Sequence, residues 1–433
     1  MQNTTINNLI VAIDLGTSKI CGVVGRKDHY GCVEIIAFES VASKGIKRGL
    51  ICNLEDAAFR IKNILLLLQN KVNFFFGERN QDEEKKNYEI TGIYVGLGGR
   101  SIKTLTTKVP RNLYNLGETE VTQEIVNSLY EENKRLKIED GEILEIVAQE
   151  YLVDDSNEIS PVGCICARIE GRYKIIVGHP TLKGNLNKCF EKLNRKVKGI
   201  MLSPVVTASA VLHNDEKETG CAMIDFGAGT TSLVIYYRNI LRHVCVFPFG
   251  SNVITKDITD LKISDEVAEH LKTKYGSAME KLAEDSCVTL SAPGGREKNI
   301  SVKTLANIIE ARIDEMLENI CYQMEKSGMM NFIDSIVITG GASQLNHLME
   351  KLEMRTGVDI RLGVPNQKIA PNMNKQYLRV EYAQLIGLLI HAQKNCVEEK
   401  GQQQEQQQAV KKTSQKKKLK DLIVDIFTED SKI

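Results

Sequence analysis

The chain has 433 residues, more than one hydrophobic core usually holds, so two or more domains are expected. Its 56 Lys and Arg balance 56 Asp and Glu, which excludes a global electrostatic grip on nucleic acid, and no aromatic–basic RNA-binding pattern is present. Apolar content of 42% and charged content of 26% fit an ordinary soluble globular protein, with no secretory signal pattern and no run long enough to span a bilayer.

The 11 cysteines are scattered and there are 7 histidines, without zinc-finger spacing; reduced, partly buried thiols in a cytoplasmic protein are expected. Near the start, Ile13-Asp14-Leu15-Gly16-Thr17-Ser18-Lys19-Ile20 reads as a β-hairpin: an apolar strand, an Asp at the turn, small residues through it, and a second strand. Successive backbone N–H groups in such a turn form an anion-binding concavity, and glycine lets a ligand approach closely. Alternating apolar residues continue through Ile20 to Val24 and Val33 to Phe38. A helix is expected from about Leu54 to Val72, capped by Asn53 with Glu55 and Asp56 in its first turn. Asn73 to Asn87 reads as a loop, and Ile90 to Leu97 as a strand ending in Gly98-Gly99.

From about Gly98 to Val177 the pattern changes to strands (Ile102 to Val109, Ile143 to Val153, Tyr173 to Val177) around a helix from Thr122 to about Leu136. This is expected to be a small α+β module of its own. Helices follow over Leu182 to Leu193 and Val205 to Leu212. The hairpin design then recurs as Ile224-Asp225-Phe226-Gly227-Ala228-Gly229-Thr230-Thr231-Ser232-Leu233. One such turn is common. Two copies suggest related halves gripping a polyphosphate from opposite sides, with Asp14 and Asp225 holding a hydrated Mg²⁺, which keeps most of its waters.

Further on, Ser264 to Tyr275 and Val302 to Met324 are helical by apolar spacing, with Gly294-Gly295-Arg296 in a loop between them. Ser335 to Thr339 reads as a buried strand running into Gly340-Gly341, with a helix through Leu345, Leu348, Met349 and Leu352. The double glycine is either a tight connection or a flat seat for adenine or ribose; beside two phosphate hairpins the second reading is preferred. The last folded helix is expected over Val380 to Ala392.

Beyond Asn395 a Gln-rich stretch reads as a flexible linker, spanning roughly 25 Å. Leu419, Leu422, Ile423, Ile426 and Phe427 then mark one face of a helix flanked by lysines. Such a tethered helix suits an anionic membrane surface, or docks on this chain's own body or a partner; Asp421, Asp425, Glu429 and Asp430 oppose anionic lipid. A single copy binds weakly, so firm attachment requires an array.

The two hairpins and the Thr339-Gly340-Gly341-Ala342 turn resemble the phosphate and adenosine motifs of the actin, Hsp70 and sugar-kinase superfamily. Within it the chain is similar to the FtsA family of bacterial division proteins, through Asp14 to Lys19, Val95 to Gly99, Pro161-Val162-Gly163, Ala268 to Lys272, Tyr275-Gly276, Gly294-Gly295-Arg296, Ala383 to Leu389 and the terminal helix. The resemblance implies an α/β actin-like ATPase fold: two duplicated RNase H-like halves around a nucleotide cleft. Subdomain 1A would comprise 1–97 and 178–213, the inserted subdomain 1C 98–177, subdomain 2A 214–253 and 321–394, and subdomain 2B 254–320. A linker over 395–415 and a membrane-targeting helix over 416–433 would follow.

By motif position the resemblance implies that Gly16, Thr17, Ser18 and Lys19 cradle phosphates from one side, and Gly227, Gly229, Thr230 and Thr231 from the other. Gly340, Gly341 and Gln344 would lie near adenosine, and Glu269 and Lys272 near ribose and base. Lys19, Glu269 and Lys272 also read as plain surface charges. Ser209 would stand where actin has the glutamine that orients attacking water, which implies ATP binding with slow hydrolysis. Ala228 replaces the middle glycine of many members.

The implied function is a polymer at the cytoplasmic face of the cell membrane at the division site. It would anchor the FtsZ ring through the FtsZ C-terminal peptide, with Arg296 and Arg312 in the contact, and recruit other division proteins through 1C. The alternatives are an actin-like ATPase of type IV pilus assembly or a small-metabolite kinase, for which no base beside a substrate pocket stands out. An Hsp70-like chaperone would need a peptide-binding β domain that the chain lacks.

Overall fold

The computed structural model describes residues 8–77, 87–113, 119–291, 297–371 and 373–399. Arg296 and the tail residues Leu419, Leu422, Ile423, Ile426 and Phe427 lie outside them.

Ile10–Leu15 (β1) and Lys19–Lys27 (β2) form the first expected hairpin, with Leu15 opposite Ile20 at its tip. Val33–Ala42 (β3) joins β2. Leu54–Gly77 (α1) lies on these strands through Ala57, Ile61, Ile64, Leu68 and Val72, an i, i+3, i+4 stripe that is fully buried. The Asn53 carboxamide oxygen accepts from the Asp56 N–H at 3.1 Å, as the capping pattern requires. The helix outruns its expected end, so Phe74 to Phe76 are helical rather than loop. Phe76 is buried, its ring 5.5 Å from that of Tyr88, and this contact holds the last turn.

Tyr88–Ile90 (β4) and Gly92–Leu97 (β5) lead into the inserted module. It contains Lys103–Asn112 (β6), Gln123–Lys134 (α2), Glu142–Val153 (β7), Ser156–Glu158 (β8) and Arg168–Gly178 (β9). Its sheet runs β8-β7-β9-β6 and packs α2 over a separate core that includes Val109, Leu129, Tyr151, Ile169 and Tyr173. The chain then returns through Thr181–Lys192 (α3), Lys196–Leu202 (β10) and Ser203–Val211 (α4). The first sheet is ordered β10-β5-β1-β2-β3.

The second half repeats this plan. Cys221–Phe226 (β11), Thr231–Tyr237 (β12) and Ile240–Phe247 (β13) form an antiparallel meander. Ser251–Ile258 (α5), Asp265–Tyr275 (α6), Cys287–Ser291 (β14), Glu297–Ser301 (β15) and Val302–Lys326 (α7) follow. Ser335–Thr339 (β16), Leu348–Thr356 (α8) and Asp359–Leu362 (β17) then close the sheet. Its order is β13-β12-β11-β16-β17, an antiparallel hairpin followed by two parallel strands, as in the first. The helix expected through Leu345, Leu348, Met349 and Leu352 begins at Leu348, after a 3₁₀ turn over Gly341–Gln344 that leaves Leu345 outside it.

Ala383–His391 (α9) and Val397–Glu399 (β18) depart from the expected division. Leu385, Ile386, Leu388 and Leu389 are buried in the first half's core, and α9 packs on α4 and β1. β18 pairs with β4, Val397 opposite Ile90. Residues 383–394 therefore pack with the first half, and 397–399 form a strand rather than the start of a linker. The physical reason is that α9 is apolar on nearly all sides and needs cover on more than one face.

The inserted module also grips the second half. The Thr104 hydroxyl donates to Val244 O and accepts from Val244 N, both at 2.8 Å, and Val246 N donates to Ile102 O at 3.0 Å. Beside them Arg242 is buried and donates to Gln149 Oε1 at 3.2 Å and Glu150 Oε1 at 3.3 Å.

Candidate functional site

The two hairpins face one cleft of about 1020 Å³ between the halves. Gly16, Thr17, Ser18 and Lys19 line one side; Gly227, Ala228, Gly229 and Thr230 line the other. The tips nearly touch: a β-carbon at Gly229 would stand 2.4 Å from Thr17 Oγ1, so glycine there sets the closeness of the halves. The second turn is anchored at its base, with Gly227 N donating to Thr230 O at 3.0 Å. Ser251 N donates to Gly227 O and Asn252 N to Ala228 O, each at 2.9 Å. Ala228 sits in this turn with no distortion of its bonding, so the missing middle glycine is accommodated.

Asp14 and Asp225 end the two first strands and stand at the floor of the cleft. Burial, and after it the charge of Asp225, raises the Asp14 carboxyl to about 7, with Lys19 pulling the other way. Burial raises Asp225 to about 6. Two half-buried carboxylates that repel each other's charge favour a cation beside them, and hard oxygen donors fit a hydrated Mg²⁺.

Gly340 lies against Asp225 with φ +84°; a β-carbon there would fall 2.2 Å from Asp225 Oδ1 and 2.6 Å from Phe226 O. Gly340 thus lets the chain leaving β16 pass beside the carboxylate, whereas Gly341 meets open space. Gly341 and Gln344 line the cleft next to it.

From the far wall, α6 contributes Glu269 and Lys272. Lys272 is buried, and its ammonium donates to Glu269 Oε2 at 2.7 Å, Thr255 Oγ1 at 2.8 Å and Ser251 O at 3.2 Å. Burial holds its pKa below the ordinary lysine value, against the pull of Glu269. It is not the surface charge that its spacing also allowed; it ties α6 to α5.

Two expected site residues do not face the cleft. Thr231 is fully buried and its hydroxyl donates to Phe249 O at 3.0 Å, whereas its strand neighbours Thr230 and Ser232 line the cavity. Ser209 is not among the lining residues; its hydroxyl donates back to Val206 O at 2.7 Å. The side of α4 that meets the cleft carries Ser203 and Thr207.

Arg312, expected to meet a partner, lies outside the cleft on α7. It donates to Asp257 Oδ2 at 2.5 Å and Oδ1 at 3.0 Å, and also to Glu315, so it arrives already paired.

The structure adds two residues that motif reading did not single out. Gln384 Nε2 donates to Asp14 Oδ1 at 2.7 Å. Glu381 accepts from Lys19 Nζ at 2.9 Å and from Gln344 Nε2 at 3.2 Å. Their signal in the sequence is faint: polar residues three apart, Glu381 in the 3₁₀ turn that precedes the otherwise apolar α9 and Gln384 in its first turn.

Residues 222–387 match the family described as "Cell division protein FtsA", and residues 99–177 match the "SHS2 domain inserted in FTSA". The latter coincides with the inserted module. The chain is 30% identical over 394 residues to a "Cell division protein FtsA" of Neisseria meningitidis serogroup B, covering 89% of this chain and 90% of that one. It is 28% identical over 378 residues to the protein of the same description from Escherichia coli, covering 84% and 86%. Among solved structures, the "PilM-PilN type IV pilus biogenesis complex" superposes with a TM-score of 0.59 at 14% identity, over 88% of this chain and 97% of that one. That likeness concerns the fold alone. The fold is the actin-like one, two duplicated halves around a cleft with a module inserted in the first.

Proposed function

We propose that this chain, which belongs to the FtsA family of cell division proteins, is an ATP-clamped polymer subunit at the cytoplasmic face of the cell membrane. In this reading it anchors the FtsZ ring at the division site through the FtsZ C-terminal peptide, polymerises with itself, and receives other division proteins on the inserted module.

The observation that carries the nucleotide part is the convergence of Asp14, Asp225 and both glycine turns on one cleft. Gly16 to Lys19 and Gly227 to Thr230 would hold the phosphates, and Gly340, Gly341 and Gln344 the adenosine side. Mg²⁺, held through water by Asp14 and Asp225, would neutralise phosphate charge. Hydrolysis would be slow. The cleft face of α4 offers the hydroxyls of Ser203 and Thr207, not an amide, and the Gln384 amide is engaged by Asp14.

The FtsZ peptide is assigned to the surface of residues 254–320, where Arg312 would exchange part of its contact with Asp257 for the peptide. The membrane contact is assigned to the terminal segment 416–433. The pilus-assembly and metabolite-kinase alternatives are not favoured by family membership.

The deciding experiment is calorimetric titration of the purified full chain with ATP, with and without Mg²⁺, followed by electron microscopy on anionic lipid. Magnesium-dependent binding and filaments on lipid are expected. Absence of ATP binding in both conditions overturns the proposal.

A further inference from the structure

We infer that Glu381 is a positioning residue of the phosphate site: it is the resident counter-anion of Lys19, and an incoming phosphate group takes Lys19 from it. This deepens the ATP-binding reading above and rests on it.

Three pieces of the molecule meet at this carboxylate. Lys19, at the tip of the first hairpin, donates to Glu381 Oε1 at 2.9 Å. Gln344, beside the double glycine of the second half, donates to Oε2 at 3.2 Å. Arg379 Nη2 stands 3.2 Å from the same oxygen. The Glu381 side chain is 10% exposed and that of Lys19 35%, so the anion is enclosed while the cation can reach the cleft. Lys19 Nζ also lies 4.6 Å from the centre of the Tyr382 ring.

The arrangement favours exchange over permanent pairing. A lysine ammonium is a compact charge on a flexible stem with three donors, and can turn from a carboxylate oxygen to a phosphate oxygen without losing the aromatic face beneath it. Removing one partner of an enclosed ion pair is normally expensive because the other is stranded. Here Glu381 retains Arg379 and Gln344, so its charge stays compensated after Lys19 leaves. The Lys19–Glu381 pair therefore competes with the ligand for Lys19 and lowers affinity for phosphate-bearing ligands, while the other carboxylate oxygen serves Gln344 on the adenosine side.

The test uses the full-length protein with Glu381→Gln, which keeps the shape and removes the charge. ATP and adenosine are titrated by calorimetry into wild type, Glu381→Gln, Lys19→Ala and the double variant. Glu381→Gln is expected to tighten ATP roughly fivefold, the scale of one partly exposed ion pair. The new amide keeps an oxygen for the Gln344 donor, so adenosine affinity should change far less than ATP affinity, and the ATP gain should vanish in the Lys19→Ala background. Unchanged or weaker ATP binding overturns the inference, as does an equal effect on ATP and adenosine, which would mark a merely structural role. Wild type that binds no ATP overturns the parent reading instead, so the two failures are told apart. Should Glu381→Gln not fold, Glu381→Asp withdraws the carboxylate from Lys19 while keeping its charge, and the same comparison applies.

Discussion

Gln384 and Asp14 are 370 positions apart and share a 2.7 Å hydrogen bond at the floor of the cleft. The amide fixes one carboxylate oxygen and leaves the other for a hydrated cation. Replacing Gln384 with Ala removes a donor from a half-buried carboxylate, a loss of about 1–2 kcal/mol. Mg-ATP affinity is expected to fall about tenfold, measured by calorimetry, with the melting temperature lowered slightly. Unchanged affinity would remove Gln384 from the site.

The carboxyl pair makes stability depend on pH in a defined direction. Asp14 and Asp225 rise from 3.8 to about 7 and about 6 in the folded state. The native state therefore binds protons more readily than the unfolded chain between roughly pH 4 and pH 7, and the pair's contribution to stability falls as pH rises through that window. Asp14→Asn should remove most of this dependence and raise the melting temperature of the nucleotide-free protein at pH 8 relative to wild type. Added Mg-ATP should stabilise wild type more at pH 8 than at pH 5. Calorimetric melts at the two pH values check both statements; equal ligand shifts at both would contradict them.

Arg312 offers a test of the partner surface that works in both directions. Its fork on Asp257 is partly exposed, so its loss should cost about 1 kcal/mol or less of stability. Arg312→Glu is expected to reduce capture of an FtsZ C-terminal peptide. Asp257→Asn leaves the guanidinium with Glu315 as its charged partner and is expected to increase it. Fluorescence anisotropy with labelled peptide reads both, and identical affinities across the three proteins would move the contact elsewhere.

Truncation after Glu399 leaves every described strand and helix intact, since β18 ends there. The shortened protein should melt like the full chain but no longer co-sediment with anionic liposomes. Retention on the liposomes would reassign the lipid contact to the folded body.

Much of the site was legible because turn chemistry is local. An Asp, a run of small residues and alternating strands on both sides announce a hairpin without tertiary information. The errors came from facing, which local spacing sets but motif matching ignores. Where the turn enters β12, Thr230 and Ser232 share the cleft side and Thr231 points the other way. Along α4, Ser203 and Thr207 are four apart on one face, and Ser209 lies two further, nearly opposite. Glu381 and Gln384 were illegible for a different reason. Their partners are set by where α9 docks, and α9 docks by burying apolar area against the half of the chain that is most distant in sequence. The same long-range closure hid β18, whose partner strand lies at Tyr88–Ile90.

The docking of α9 and β18 has a mechanical consequence. Tension entering at Glu399 meets three strand residues zipped to β4 and then a helix buried in the first half. A pull at that point thus bears first on one jaw of the cleft, and reaches the other through the Thr104–Val244 and Glu381–Gln344 contacts.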